Sequence, residues 1–163
     1  MAVAVGQQAP DFTLRSHHDE DVTLSSFRGE KNVVLSFFPA AFSNVCTGQF
    51  TRIGENEGRF AGEDAQVIGV SVDNSDSLRA FAESLGLDGT LLLADFEPKG
   101  AVATEYGVYL DRFGVSGRAT FVIDKAGIVR SVVLTDNPGQ DILEEDYFAE
   151  LASCNVGSDR PAS

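Results

Sequence analysis

The chain has 163 residues, 43% hydrophobic and 23% charged, with a mean hydropathy of -0.03. That length suits one domain able to bury its own core without disulfides or metal, and the longest apolar run, 33–42, is too short to span a membrane. Twelve Lys and Arg against 25 Asp and Glu leave a net charge of -13, which repels phosphate backbones and argues against nucleic acid as a partner. Three of the basic residues are Lys (Lys31, Lys99, Lys125), an acid-rich and lysine-poor balance that suits a protein kept soluble in concentrated salt. The N-terminus carries no basic residue ahead of its short apolar stretch, unlike a secretory signal. Two cysteines make neither a disulfide framework nor a zinc set, so a reducing, cytoplasmic setting is expected.

In chain order, segments 12–14 and 22–24 flank His17, His18, Asp19, Glu20 and Asp21 and predict an N-terminal hairpin. Its two histidines are expected in a solvated turn, pointing to opposite faces and sharing no metal. Residues 32–38 form a nearly continuous apolar run of strand length, as expected of a central strand covered on both faces, and Pro39 ends it. A helix is predicted from Ser43 to between Gly58 and Gly62, then a second buried strand over 65–72. Asn74 or Ser75 caps a helix over 77–85 that Gly86 closes. A short strand over 90–94, a weaker helix over 100–106 and strands over 119–123 and 128–135 around the turn 124–127 follow. An amphipathic helix over 141–152, with Leu143, Tyr147 and Leu151 on one stripe, completes the domain.

Alternating strands and helices define an α/β protein, and the right-handed crossover rule makes 32–38 and 65–72 parallel neighbours. The order matches a thioredoxin-like fold: a central mixed sheet flanked by helices, with an N-terminal β-hairpin extension. One domain is expected over 1–156, with a disordered tail over 157–163.

The segment 38–47 lies where a buried strand exits and a helix begins, the usual place for a site in an open α/β sheet. Cys46 falls in the first helical turn, where free backbone N–H groups and the helix dipole favour a thiolate. Ser43 can cap that turn and aim its hydroxyl at the sulfur, and Pro39 removes a backbone N–H and shields the pocket from water. Taken alone, Cys46 reads more readily as a small buried hydrophobe and Ser43 as a plain cap.

The spacing Pro39-x3-Ser43-x2-Cys46 resembles the peroxiredoxin active-site motif. The agreement extends to the apolar run before it, to Thr47 and Gly48 after it, and to Arg118 with the strand 119–123. The resemblance covers nearly the whole chain and is nearest to the alkyl hydroperoxide reductase E-like, one-cysteine branch. It implies a thiolate that attacks a hydroperoxide, leaving a sulfenic acid that a second thiol must remove. The implied partners are the hydroperoxide and, as reductant, a thioredoxin-like protein or a low-molecular-weight thiol. A homodimer is implied as well, with Phe42 a possible contact; no cofactor or metal is. Two departures stand out: Gln49 occupies the position where the family usually has Glu, and the Trp common in the segment matching 95–98 is missing.

Strand 119–123 should run antiparallel to 32–38, which sets Arg118 beside the end carrying Cys46; Arg52 is the weaker alternative. A disulfide exchanger would need C-x-x-C, but Gln49 stands where the second cysteine would be. A peroxide sensor or holdase would use the same Cys46 chemistry once rather than turning over. Families that resolve within the chain often place a second cysteine five residues on, where Thr51 stands here. Cys154 follows a helix that should carry it about 18 Å from the Cys46 edge, beyond the roughly 7 Å a disulfide tolerates. Bridging between subunits stays open.

Overall fold

The computed structural model describes residues 3–134 and 145–158. Nine strands and five helices follow in the order β1 (Thr13–Ser16), β2 (Asp21–Thr23), β3 (Asn32–Phe37), α1 (Asn44–Glu55), α2 (Glu57–Gly62), β4 (Ala65–Ser71), α3 (Ser75–Leu85), β5 (Leu91–Ala94), α4 (Ala101–Glu105), β6 (Tyr109–Leu110), β7 (Val115–Ser116), β8 (Ala119–Ile123), β9 (Val129–Leu134) and α5 (Glu145–Ser158). Seven strands form one sheet in the order β2-β1-β5-β4-β3-β8-β9. Strands β3, β4 and β5 are parallel, β8 and β9 continue antiparallel from β3, and β1 lies antiparallel against β5. This is the expected α/β, thioredoxin-like layout, with its hairpin extension joined to the sheet edge.

Strand β3 is buried along its whole length because helices and loops cover both faces of the sheet. Its alternation sorts the core: Val33, Leu35 and Phe37 pack with Phe12, Tyr106 and Phe121 on one face. Val34 and Phe38 pack with Phe50, Phe81, Val122 and Leu151 on the other. Helix α1 presents Cys46, Gln49, Phe50 and Ile53 to that second face, the i, i+3, i+4, i+7 stripe of an amphipathic helix. Gly69 of β4 lets α1 come close: a Cβ there would lie 2.8 Å from Phe50 Cζ and from Leu92 Cδ2. The Phe50 ring therefore seats on bare backbone.

Several boundaries differ from expectation. The single helix predicted after Ser43 breaks at Asn56, whose Nδ2 donates to the Arg52 carbonyl at 2.8 Å and competes with the helical ladder between Gly54 and Gly58. Asn74 is the cap of α3, its Oδ1 accepting from the Ser77 N–H at 2.8 Å, and Gly86 closes that helix at φ 64°. The 3-10 turn Leu24–Phe27 and the ribbon β6–β7 were not expected, being too short for a periodic signal. Helix α5 runs past Ala152 to Ser158 and buries Phe148, Leu151 and Cys154. Leu143 and the side chain of Tyr147 lie outside the described residues, as does the tail beyond 158.

The solvated histidine turn needs correction. His17 is buried, its Nδ1 accepting from the Leu92 N–H at 3.1 Å while its own N–H donates to the Leu92 carbonyl at 2.8 Å. The reason is tertiary: β1 pairs with β5 through Ser16↔Leu93, so His17 meets the Leu92 amide, which needs partners. His18 is exposed, with its ring 3.9 Å from that of His17, and Arg79 of α3 closes the turn through the His17 carbonyl and Asp19.

Burial, helped by His18 and Arg79 and opposed by the Leu92 backbone hydrogen bond and by Glu83, lowers the His17 pKa from the ordinary imidazole range. The unfolded chain therefore binds this proton more readily, and the stability His17 contributes is complete above about pH 6.5 and lost as pH falls through the lower folded value. Urea unfolding at about pH 7 and about pH 5 is expected to show a larger loss for the native chain than for His17→Gln. Equal losses in the two proteins would remove His17 from the pH response.

Candidate active site

Just past β3, the Phe38 N–H donates to the Val70 carbonyl at 3.0 Å, and the chain then leaves the sheet through Pro39 and Ala40. Asp73 ties this loop down: its Oδ2 accepts from the Ala41 N–H at 2.8 Å and from the Ser71 hydroxyl at 2.6 Å. Phe42 has φ 67°, left-handed backbone that is unusual for a bulky residue and is concentrated at functional loops. Its exposed ring rests on Phe81, centroids 5.2 Å apart.

Ser43 then caps α1, its Oγ accepting from the Cys46 N–H at 3.4 Å. Cys46 lies in the first turn and is fully buried. Arg118, immediately before β8, reaches it from across the sheet: the register Phe37↔Ala119 brings Arg118 to the end of β3 where α1 starts. Its Nη2 donates to Cys46 Sγ at 3.1 Å, and its Nη1 donates to Gln49 Oε1. Arg118 as a whole is 1% exposed.

Cys46, Ser43 and Arg118 are therefore brought together, and Pro39 is half-buried on the loop leading to them. The Arg52 Nη1 lies 3.5 Å from where a Cβ on Gly48 would be. Cys154 belongs to the other end of the sheet. Burial pushes its thiol pKa up, with Arg130 opposing and Asp124 and Glu150 adding to the rise. Asp124 lies beyond Ile123 at the far end of β8, about 20 Å along the strand from Arg118.

Sequence reasoning missed three residues that shape the site. Asp73 gave no signal beyond its place after a strand. Ser36 and Thr120, a paired duo on β3 and β8, were hydroxyls inside apolar runs, and a buried hydroxyl calls for a partner. Beyond Arg118, away from Cys46, Val108, Leu110, Gly117, Ala119 and Leu134 line a mostly apolar cavity of about 170 Å³.

A cysteine at a helix start thus lies buried beneath an arginine on a thioredoxin-like sheet. Residues 5–132 match the AhpC/TSA family, and the chain belongs to that family, the peroxiredoxins. Among its relatives, alkyl hydroperoxide reductase E of Mycobacterium bovis is 40% identical over 126 residues, 77% of this chain and 82% of that protein. The chloroplastic peroxiredoxin Q of Sedum lineare is 39% identical over 131 residues, 80% of this chain and 68% of that one. The crystal structure of peroxidoxin BcpB from Mycobacterium tuberculosis superposes with a TM-score of 0.81 at 29% identity, covering 91% of this chain and 96% of that one. That of Enterococcus faecalis AhpC, at 24% identity and a TM-score of 0.85 over 100% of both chains, shares the fold.

Proposed function

We propose that this protein reduces hydrogen peroxide and organic hydroperoxides through a sulfenic acid on Cys46, and that an external thiol recycles it. The observation that carries the reading is the 3.1 Å contact from Arg118 Nη2 to Cys46 Sγ at the start of α1. There the guanidinium donates directly to the sulfur, at the helix end that carries the positive end of the dipole. The Cys46 thiolate attacks the hydroxyl oxygen of the peroxide; the S–O bond forms, the O–O bond breaks, and the other oxygen leaves as alkoxide or hydroxide and takes up a proton. Cys46 is oxidised by two electrons and the peroxide is reduced by two.

Negative charge grows on the leaving oxygen, and donors already in place for it supply the acceleration. Arg118 fills this role with its planar fork, and Ser43, which accepts from the Cys46 N–H, keeps its own hydroxyl proton to donate. Pro39 holds the loop without offering a competing N–H.

The chain works as a homodimer in the cytoplasm, reduced by a thioredoxin-like protein or a low-molecular-weight thiol. The position of Cys154 supports the external route: it is buried, its thiol is held in the neutral form, and it faces the Asp124 end of the sheet. One equivalent of peroxide is expected to give a dimedone-trappable sulfenic acid on Cys46, with the Cys154 thiol still countable. Non-reducing gels of wild type and Cys154→Ser should look alike. A Cys46–Cys154 disulfide, within or between chains, forming as fast as the sulfenic acid disappears would refute the one-cysteine mechanism.

A further inference from the structure

We propose that Gln49, oriented by the hydroxyls of Ser36 and Thr120, positions Arg118 at the Cys46 sulfur while adding no negative charge beside it. This rests on the roles proposed for Cys46 and Arg118. Gln49, Ser36 and Thr120 are fully buried, so their polar atoms must find partners within the protein. Gln49 lies one turn after Cys46 on the inward stripe of α1. Ser36 shares its face of β3 with Val34 and Phe38, and the sheet register sets it opposite Thr120.

An amide has two unlike ends, and an arginine has only donors, so the oxygen end alone serves it. What lies at the nitrogen end decides which way the amide faces. Here Gln49 Nε2 donates to Ser36 Oγ at 3.1 Å, Ser36 Oγ is 3.0 Å from Thr120 Oγ1, and Gln49 Oε1 receives Arg118 Nη1. With Ala at position 36, the amide could turn its nitrogen toward the guanidinium, donor against donor.

A carboxylate at position 49 would need no such device, because both its ends accept. It would, however, place a negative charge on the same guanidinium that faces the sulfur, and two anions would compete for one cation. Ser36 therefore makes a neutral residue workable at a position where the peroxiredoxin pattern usually has Glu. The consequence is a site in which the arginine's charge is directed at sulfur.

The test is the rate of Cys46 oxidation by hydrogen peroxide across pH in wild type, Ser36→Ala, Gln49→Glu and the double variant. The chain has no Trp, so the rate is read by competition against a reporter peroxidase. Ser36→Ala is expected to slow the reaction about tenfold. Gln49→Glu should move the midpoint of the pH–rate profile up by about one unit, and in that background the Ser36→Ala loss should shrink to less than about twofold. Equal losses in both backgrounds would mean that Ser36 only fills space and would overturn the proposal. So would an unmoved midpoint in Gln49→Glu, which decides the matter even if Ser36→Ala does not fold. A wild type inert to peroxide overturns the functional reading and this inference with it; a reactive wild type with uncoupled variants overturns this inference alone.

Discussion

Cys46→Ser is expected to abolish hydroperoxide consumption, lowering the rate by roughly 10⁴-fold or more, because a serine hydroxyl does not ionise at neutral pH as a thiol does. Cys46 is fully buried in the cluster with Phe38, Phe50 and Phe81 but receives Arg118 Nη2, so a serine hydroxyl keeps a donor and a loss below about 1 kcal/mol in folding stability is expected. Cys46→Ala separates the two effects, keeping the fold with an apolar side chain while equally inactive. Peroxide consumption with a thiol reductant, alongside urea unfolding of both variants, gives the answer. Turnover retained by either folded variant would end the assignment of Cys46 as nucleophile.

Arg118→Lys should lose roughly 10²-fold in the second-order rate constant although the charge is kept. The guanidinium spans two partners at once, Cys46 Sγ through Nη2 and Gln49 Oε1 through Nη1, from the start of β8. A lysine ammonium is a single point on a flexible stem and cannot hold both in that geometry. If it favours Gln49, the sulfur loses its cation; if it favours the sulfur, the leaving oxygen loses an oriented donor. The comparison is made under pseudo-first-order conditions with hydrogen peroxide, and rate constants within twofold of each other would show that charge alone suffices. Arg118→Met should be slower still, since it removes the cation altogether.

Much of this was legible in the chain. Apolar runs at 32–38, 65–72 and 119–123 are long enough, and free enough of Gly and Pro, that only strands covered on both faces accommodate them. The crossover rule then fixed that β3 and β4 are parallel, and that order carried the start of β8 to the end of β3. Cys46, Ser43 and Pro39 were readable because they share one loop and its helix start, where spacing in sequence is close to spacing in space. Arg118 required the topology as well, since it lies 72 residues from Cys46.

What the tertiary structure alone decided are contacts between residues whose own segments give no hint of them. His17 reads as part of a polar turn, yet pairing of β1 with β5 sets it against the Leu92 amide, and an amide away from water must have a partner. Asp73 reads as a loop acid, yet it holds the Ala41 N–H and so fixes the approach to Cys46. Gln49 reads as a missing charge, but with Ser36 behind it the amide is a hydrogen-bond acceptor aimed at Arg118. The sequence determined by itself which residues are apolar at which period and which chemistry sits at a strand-to-helix turn, because these are local properties of the chain. Which donor meets which acceptor across the sheet depends on register and on how closely α1 sits over Gly69, and those arise only when the whole core packs at once.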